Sequence, residues 1–259
     1  MTVLGAGSAV HIGIDGPDPA HYGPIAPLRS AEHDARAMAA LAETQGIEPR
    51  VLLLGCDATL EAVRDWIANA ASVLVTGDTF LLTFSGYGAV LPAIDRTLCL
   101  YDQQLLTTLL YADLARFQPG VRVVIVEDSC SRIVTEPGGV RALPAEVAEE
   151  VYARHHAAYD AWAEQAARVK PSFMVPVLTL HACGAQQEAR EGALYGRFTG
   201  ALLAVWNRGE YLQSPAPSYR DLIDRTVLAI GDKRQTPSLS TLITNDQRVA
   251  YRPPFVLGI

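Results

Sequence analysis

The 259 residues suffice for one large α/β domain with a proper core, or for two small ones. Hydrophobic residues make up 49% and charged residues 19%, a balance that excludes a disordered chain. The net charge of -7, with no cluster of Lys and Arg, argues against nucleic acid as a partner.

Cys56, Cys99, Cys130 and Cys183 are widely spaced, with no CxxC and no His-x-His pairing. A disulfide framework and a zinc site both fit that spacing poorly, and reduced thiols in a cytoplasm fit it better. The opening MTVLGAGSAVHIGIDG lacks the basic start and long apolar core of a secretory signal. No apolar run approaches the roughly 18 residues needed to span a bilayer. The expectation is a cytoplasmic protein with no membrane partner.

In chain order, Ser8–Ile14 reads as a short buried strand running into the Gly/Pro-rich GPDPAHYGP. From Leu28 the pattern is helical, with Ala31, Ala35, Met38, Ala39 and Leu41 at three- and four-residue steps. Val51–Leu54 reads as a second strand, and Asp57 or Thr59 caps a periodic run to about Ala71. Thr79–Phe84 is a continuous apolar strand, Asp102 to about Phe117 mostly helix, and Val121–Val126 another strand. Glu136–Gly139 reads as a turn, Pro144–Val169 as a long amphipathic helix and Val175–Leu180 as a strand. Gly196–Trp206 and Tyr219–Ile230 complete the helices. Short strands, apolar on both faces and alternating with helices, predict a mostly parallel sheet covered by helices. Chemistry in such a sheet belongs at the carboxyl ends of its strands, here Ser85-Gly86-Tyr87-Gly88 and Asp128-Ser129-Cys130.

These segments resemble, in order, landmarks of the caspase-like cysteine peptidases, in particular their bacterial metacaspase/orthocaspase branch. IGIDG sits where the family's first strand ends, and Leu28 to Ala35 (LRSAEHDA) looks like its helix opening. Gly77 to Gly88 (GDTFLLTFSGYG) is similar to the strand that normally ends Ser-Gly-His-Gly. Leu98 to Asp102 (LCLYD) and Val124 to Cys130 (VIVEDSC) are like the next landmark and the nucleophile strand. His181-Ala182-Cys183 with Glu188-Ala189, Gly196 to Thr199, and Gln235-Thr236-Pro237 are weaker echoes of the small-subunit region.

The resemblance implies a caspase-like α/β/α sandwich with a mostly parallel central sheet, as one domain over 1–259. About 1–135 would be the large-subunit-like region, about 136–172 a helical linker and about 173–259 the small-subunit-like region. It places Cys130 at the nucleophile position, against the alternative of a buried structural thiol. The N–H groups of Gly88 and Cys130 would form the oxyanion hole. Asp34 and Asp128, with Ser85 beside them, match the acids of the S1 pocket, which selects Arg or Lys through charge-assisted hydrogen bonds. Each of the two acids also has a plain structural reading, as a helix-surface acid and as an acceptor at a turn.

Tyr87 stands where the family has its catalytic histidine. A phenol is a poor base at neutral pH and forms no cation beside a thiolate. A positioned acid–base group contributes about 10²–10⁴-fold, so the substitution predicts impaired or absent hydrolysis. His33 is the best placed of six histidines to replace it, and Arg132 is either a thiol activator or a solvated loop charge. Arg141, Arg154, Arg168 and Lys170 are self-cleavage positions in an active homologue, or ordinary surface charges here. No DxDxDG calcium loop occurs, and neither metal nor cofactor is called for. The expected partner is a peptide or protein offering a basic side chain. The sequence leaves three functions open: a weakened or rewired cysteine endopeptidase, a pseudo-caspase that binds without cutting, and a repurposed enzyme using Cys130 for a different acyl or thiol reaction.

Overall fold

The computed structural model describes residues 5–91, 95–130, 139–169, 174–184, 186–242 and 247–258. Six strands form the central sheet: β1 (Gly7–Gly13), β2 (Arg50–Leu54), β3 (Thr79–Ser85), β7 (Arg122–Asp128), β8 (Val177–His181) and β9 (Ser238–Leu242). Their order is β2-β1-β3-β7-β8-β9, and every pair is parallel except β8 with β9. The mostly parallel sheet covered by helices that the alternation predicted is therefore present.

Helices cover both faces because the apolar strands alternate their side chains between them. On β3, Phe80, Leu82 and Phe84 point into one core, which packs α3 (Leu60–Val73), α4 (Thr107–Leu114) and α5 (Ala145–Val169). Leu81 joins Val124, Val126, Leu178 and Leu180 in the other core. That core packs α2 (Ala31–Thr44), α6 (Arg197–Trp206) and α7 (Tyr219–Ile230). A short α1 (Pro19–Tyr22) begins the connection to α2.

Local signals set several boundaries. Thr59 accepts from the Ala62 N–H and Ser218 from the Asp221 N–H, capping α3 and α7. The helix expected from Asp102 begins only at Thr107. Gln104–Leu106 instead forms β6, paired with β5 (Asp95–Cys99), and β4 (Gly88–Leu91) completes a three-stranded antiparallel sheet. The Thr97 hydroxyl donates to Gln104 Oε1 at 2.7 Å, and the Leu100 N–H closes a turn on the Gln103 carbonyl. Those bonds hold the chain extended where its periodicity alone reads as helix. α5 breaks from helical geometry at His155 (φ -123°, ψ 15°). No helix among the described residues is long and apolar enough to cross a membrane.

Candidate active site

The carboxyl ends of β1, β3 and β7 lie side by side, with Gly13, Ser85 and Asp128 in register. A Cβ on Gly13 would overlap the Ala31 carbonyl, so glycine here lets the start of α2 press against β1. Asp15 Oδ1 then accepts from the Ala31 N–H at 2.8 Å and caps α2. Ser30, the residue at the cap position, makes no capping bond of its own. Its hydroxyl donates to Glu191 Oε1 at 3.0 Å and accepts from Arg141 Nη2 at 2.6 Å. The helix begins on borrowed acid because its serine is engaged in the cleft.

Asp34, one turn into α2, is buried against Ser85, which donates to its Oδ2 at 2.7 Å. The Gly196 N–H, ahead of α6, donates to Asp34 Oδ1 at 2.9 Å. Asp128 Oδ2 accepts from both the N–H and the hydroxyl of Thr199, at 3.0 and 2.7 Å. Between the two carboxylates lies the guanidinium of Arg141, with a fully buried side chain. Its Nη2 is 2.8 Å from Asp34 Oδ2, its Nη1 is 3.3 Å from Asp128 Oδ1, and Nη1 also donates to Ser85 Oγ. Burial pushes the Asp34 carboxyl up to about 7, against the pull of Arg141 and with a further push from Asp128. Arg141 is held above its ordinary value by both acids despite its burial.

The backbone of Arg141 is held as specifically as its side chain. Its carbonyl accepts from the Gly88 N–H at 3.0 Å and from the Cys130 N–H at 2.9 Å. Two amides converging on one oxygen is the geometry of an oxyanion hole, here filled by a carbonyl of the same chain. The Arg141 N–H donates to the Ala189 carbonyl at 2.9 Å, and the Glu191 N–H to the Gly139 carbonyl at 3.0 Å. Val140 forms an antiparallel bridge with Arg190. The Leu143 N–H bonds the Gly88 carbonyl at 2.7 Å. A Cβ on Gly88 would strike the Cys130 carbonyl, and one on Gly196 would strike Asp128 and the Arg141 guanidinium. Both glycines are steric requirements of the cleft.

Cys130 is 1% exposed, and its thiol donates to the Gln187 carbonyl at 3.1 Å. The Tyr87 hydroxyl donates to the Ala26 carbonyl at 2.7 Å, in the connection between α1 and α2. Burial pushes the phenol up to about 12, with Glu191 and Cys99 adding to the rise. That shift runs against a role for Tyr87 as a base at neutral pH. The structure thus gathers Gly88, Cys130, Asp34, Ser85 and Asp128 around Arg141, and ties the Tyr87 hydroxyl to the α1–α2 connection. His33 is exposed on α2, while Asp34 next to it is buried. Arg154 and Arg168 are exposed on α5, while Arg132 and Lys170 fall outside the described residues. Ser30, Gly196, Thr199 and Glu191 also build the site, and sequence reasoning did not assign them to it. Among the described residues no cluster of three His, Cys, Asp or Glu side chains is arranged to hold a metal.

Residues 12–247 match the family model described as the caspase domain. The chain belongs to the caspase-domain peptidase family. No curated protein matches this caspase-domain chain. Among solved structures, it is similar to the crystal structure of protein GSU0716 from Geobacter sulfurreducens. The identity is 32%, over 97% of this chain and 99% of that one, with a TM-score of 0.87. The caspase-type fold is thus supported by the family match and by a structural neighbour.

Proposed function

We propose that this chain is a caspase-like cysteine endopeptidase homologue whose cleft recognises a basic residue through its side chain and carbonyl together. Its hydrolytic step is impaired or lost at Tyr87. The observation that carries this reading is Arg141 itself. Its guanidinium lies between Asp34 and Asp128, and its carbonyl takes the N–H groups of Gly88 and Cys130. A substrate residue of arginine type would need the same partners: a cationic fork for the acids and a carbonyl for the two amides. Residues 139–143 therefore act as a resident pseudosubstrate, and the cleft is shut in this state.

A second reading, a pseudo-caspase that binds partners without cutting, gains from the commitment of Tyr87 to Ala26. Thiol chemistry here has a nucleophile and donors for the oxyanion, but no imidazole at the tyrosine position to take the thiol proton. The two readings share the basic-residue cleft and differ only in turnover.

The test is labelling of Cys130 by an arginyl chloromethylketone in the unmodified chain, Tyr87→His, Arg141→Gly and the double variant. The unmodified chain and Tyr87→His should stay unlabelled because Arg141 holds the cleft. The double variant should label at Cys130. Labelling of Arg141→Gly alone would establish that Tyr87 permits thiol chemistry, and turnover of an arginyl amide substrate by that variant would sink the non-cutting reading. A folded double variant that neither labels nor gains thermal stability from agmatine, a free guanidinium ligand, would overturn the basic cleft.

A further inference from the structure

The structure holds a second thiol beside Cys130 that peptide hydrolysis does not use. β7 and β8 pair in parallel with Glu127 opposite His181, and the Ala182 N–H continues the ladder to the Glu127 carbonyl at 2.9 Å. Carrying that register forward puts Cys183 beside Ser129 and Cys130. Cys183 is thereby one place out of register with Cys130, a near neighbour across the strand ends. Cys130 Sγ is 3.1 Å and Cys183 Sγ 3.6 Å from one oxygen, the Gln187 carbonyl. Both thiols pack into the same core as Val126 and Leu180.

Their exposures differ in a useful sense. Cys130 is buried, while Cys183 is half-buried and lines a cavity of about 80 Å³ with Arg96, Glu127, Ser129, His181 and Ser238. That cavity admits a molecule the size of hydrogen peroxide without disturbing Arg141, which fills the other side of the site. Cys56 is exposed and Cys99 is buried in the core that contains Leu98 and Leu100. Neither has a second cysteine among its described contacts.

We propose that Cys130 and Cys183 form a reversible disulfide under peroxide, a modification site that takes the nucleophile position out of thiol chemistry. The Cys183 thiolate attacks peroxide, so that an S–O bond forms, the O–O bond breaks and the departing hydroxide is protonated to water. The Cys130 thiol then attacks the sulfenic sulfur. The S–S bond forms, the S–O bond breaks, and the second oxygen leaves as water with the thiol proton. Two thiols are oxidised by two electrons in all, and one peroxide is reduced to two waters. The neighbouring Cys130 thiol and then burial push the Cys183 thiol up, so its thiolate is scarce near neutrality and the first step accelerates as pH rises. The inference rests on the placement of Cys130 beside Cys183 and not on the basic cleft.

The test treats the full chain with hydrogen peroxide, quenches, unfolds it in alkylating reagent and maps the peptides without reduction. The expected result is a Cys130–Cys183 linked peptide short of two hydrogens, absent after dithiothreitol. It should persist in Cys56→Ser and vanish in Cys183→Ser, whose Cys130 is then recovered alkylated or singly oxidised. Oxidation of Cys56 with Cys130 and Cys183 both recovered unlinked would overturn the proposal, as would a link from either of them to another cysteine. Agmatine binding and arginyl labelling of the chain kept reduced test the basic cleft separately, so this inference and the basic cleft fail independently.

Discussion

Arg141 Nη2 lies 2.8 Å from Asp34 Oδ2, and both side chains are sealed from water. A pair so buried contributes little net attraction once desolvation is counted, but breaking it from one side leaves a charge with no compensation. Arg141→Ala is therefore expected to lose about 3–5 kcal/mol in urea unfolding at pH 7. Agmatine should restore part of that loss in the variant and leave the unmodified chain unchanged. Arg141→Lys keeps the charge but places one ammonium where a planar fork spans Asp34, Ser85 and Ser30, and should fall between the two. Equal stability of Arg141→Ala and the unmodified chain would exclude the ion-pair account.

The glycines of the cleft offer a steric test. Gly196→Ala would set a methyl against Asp128 and the Arg141 guanidinium, and Gly88→Ala would set one against the Cys130 carbonyl. Each is expected to cost about 1–3 kcal/mol through overpacking. Gly16→Ala, whose Cβ would meet only Pro27 at 4.0 Å, should stay within about 0.5 kcal/mol. Thermal melts of the three variants decide whether the crowding is real.

Acid should destabilise the fold through His11. Its ring sits fully buried on β1, hydrogen-bonded to Thr83, and burial lowers its pKa from 6.5 to about 3. The native state refuses a proton that the unfolded chain accepts. His11 thus contributes stability above pH 6.5 that is lost on descent toward 3, by about 1.4 kcal/mol per pH unit. Asp34 works in the opposite sense. Its folded pKa of about 7 stands above the ordinary 3.8, so its contribution is present below 3.8 and lost as pH rises through 7. Between these limits the two oppose each other. Unfolding curves from pH 4 to 8 should show a shallower acid loss in His11→Gln and a steeper one in Asp34→Asn.

Tyr87→Phe removes the hydrogen bond to Ala26 and should cost about 0.5–1.5 kcal/mol. Burial holds the phenol near 12, so no ionisation of Tyr87 should appear in ultraviolet difference titration below pH 10. A tyrosinate signal near neutrality would restore Tyr87 as a base.

The sheet was legible because β3 and β7 are continuous apolar runs that end in turn residues, a pattern few other structures tolerate. The start of β6 was not, since Thr97 and Leu100 override a helical period through bonds that local sequence does not display. β9 pairs only as an edge, and Ser238-Leu-Ser-Thr-Leu carries little strand signal of its own. In the cleft, Asp34, Ser85 and Asp128 were nameable from position in motifs. Ser30, Thr199, Gly196 and Glu191 were not assigned to the site, because their role is defined by contacts 71 to 162 positions apart. Arg141 is not the ordinary surface charge that its position also allowed: it is fully buried, and its place within the apolar run Val140-Arg141-Ala142-Leu143 is an odd composition for a surface loop.

Arg141 follows the nucleophile position by only eleven places along the same chain. Covalent tethering over so short a path sets a local concentration of the order of millimolar or above. A free arginyl peptide that makes only the contacts of residues 139–143 therefore competes against a rival that is always present and never diluted. On the proposed basic-cleft reading, simple basic peptides would leave the cleft closed. On that reading only a ligand that adds contacts outside residues 139–143 would gain a foothold, so partner choice would be set by surface beyond the pocket while the pocket supplies a threshold.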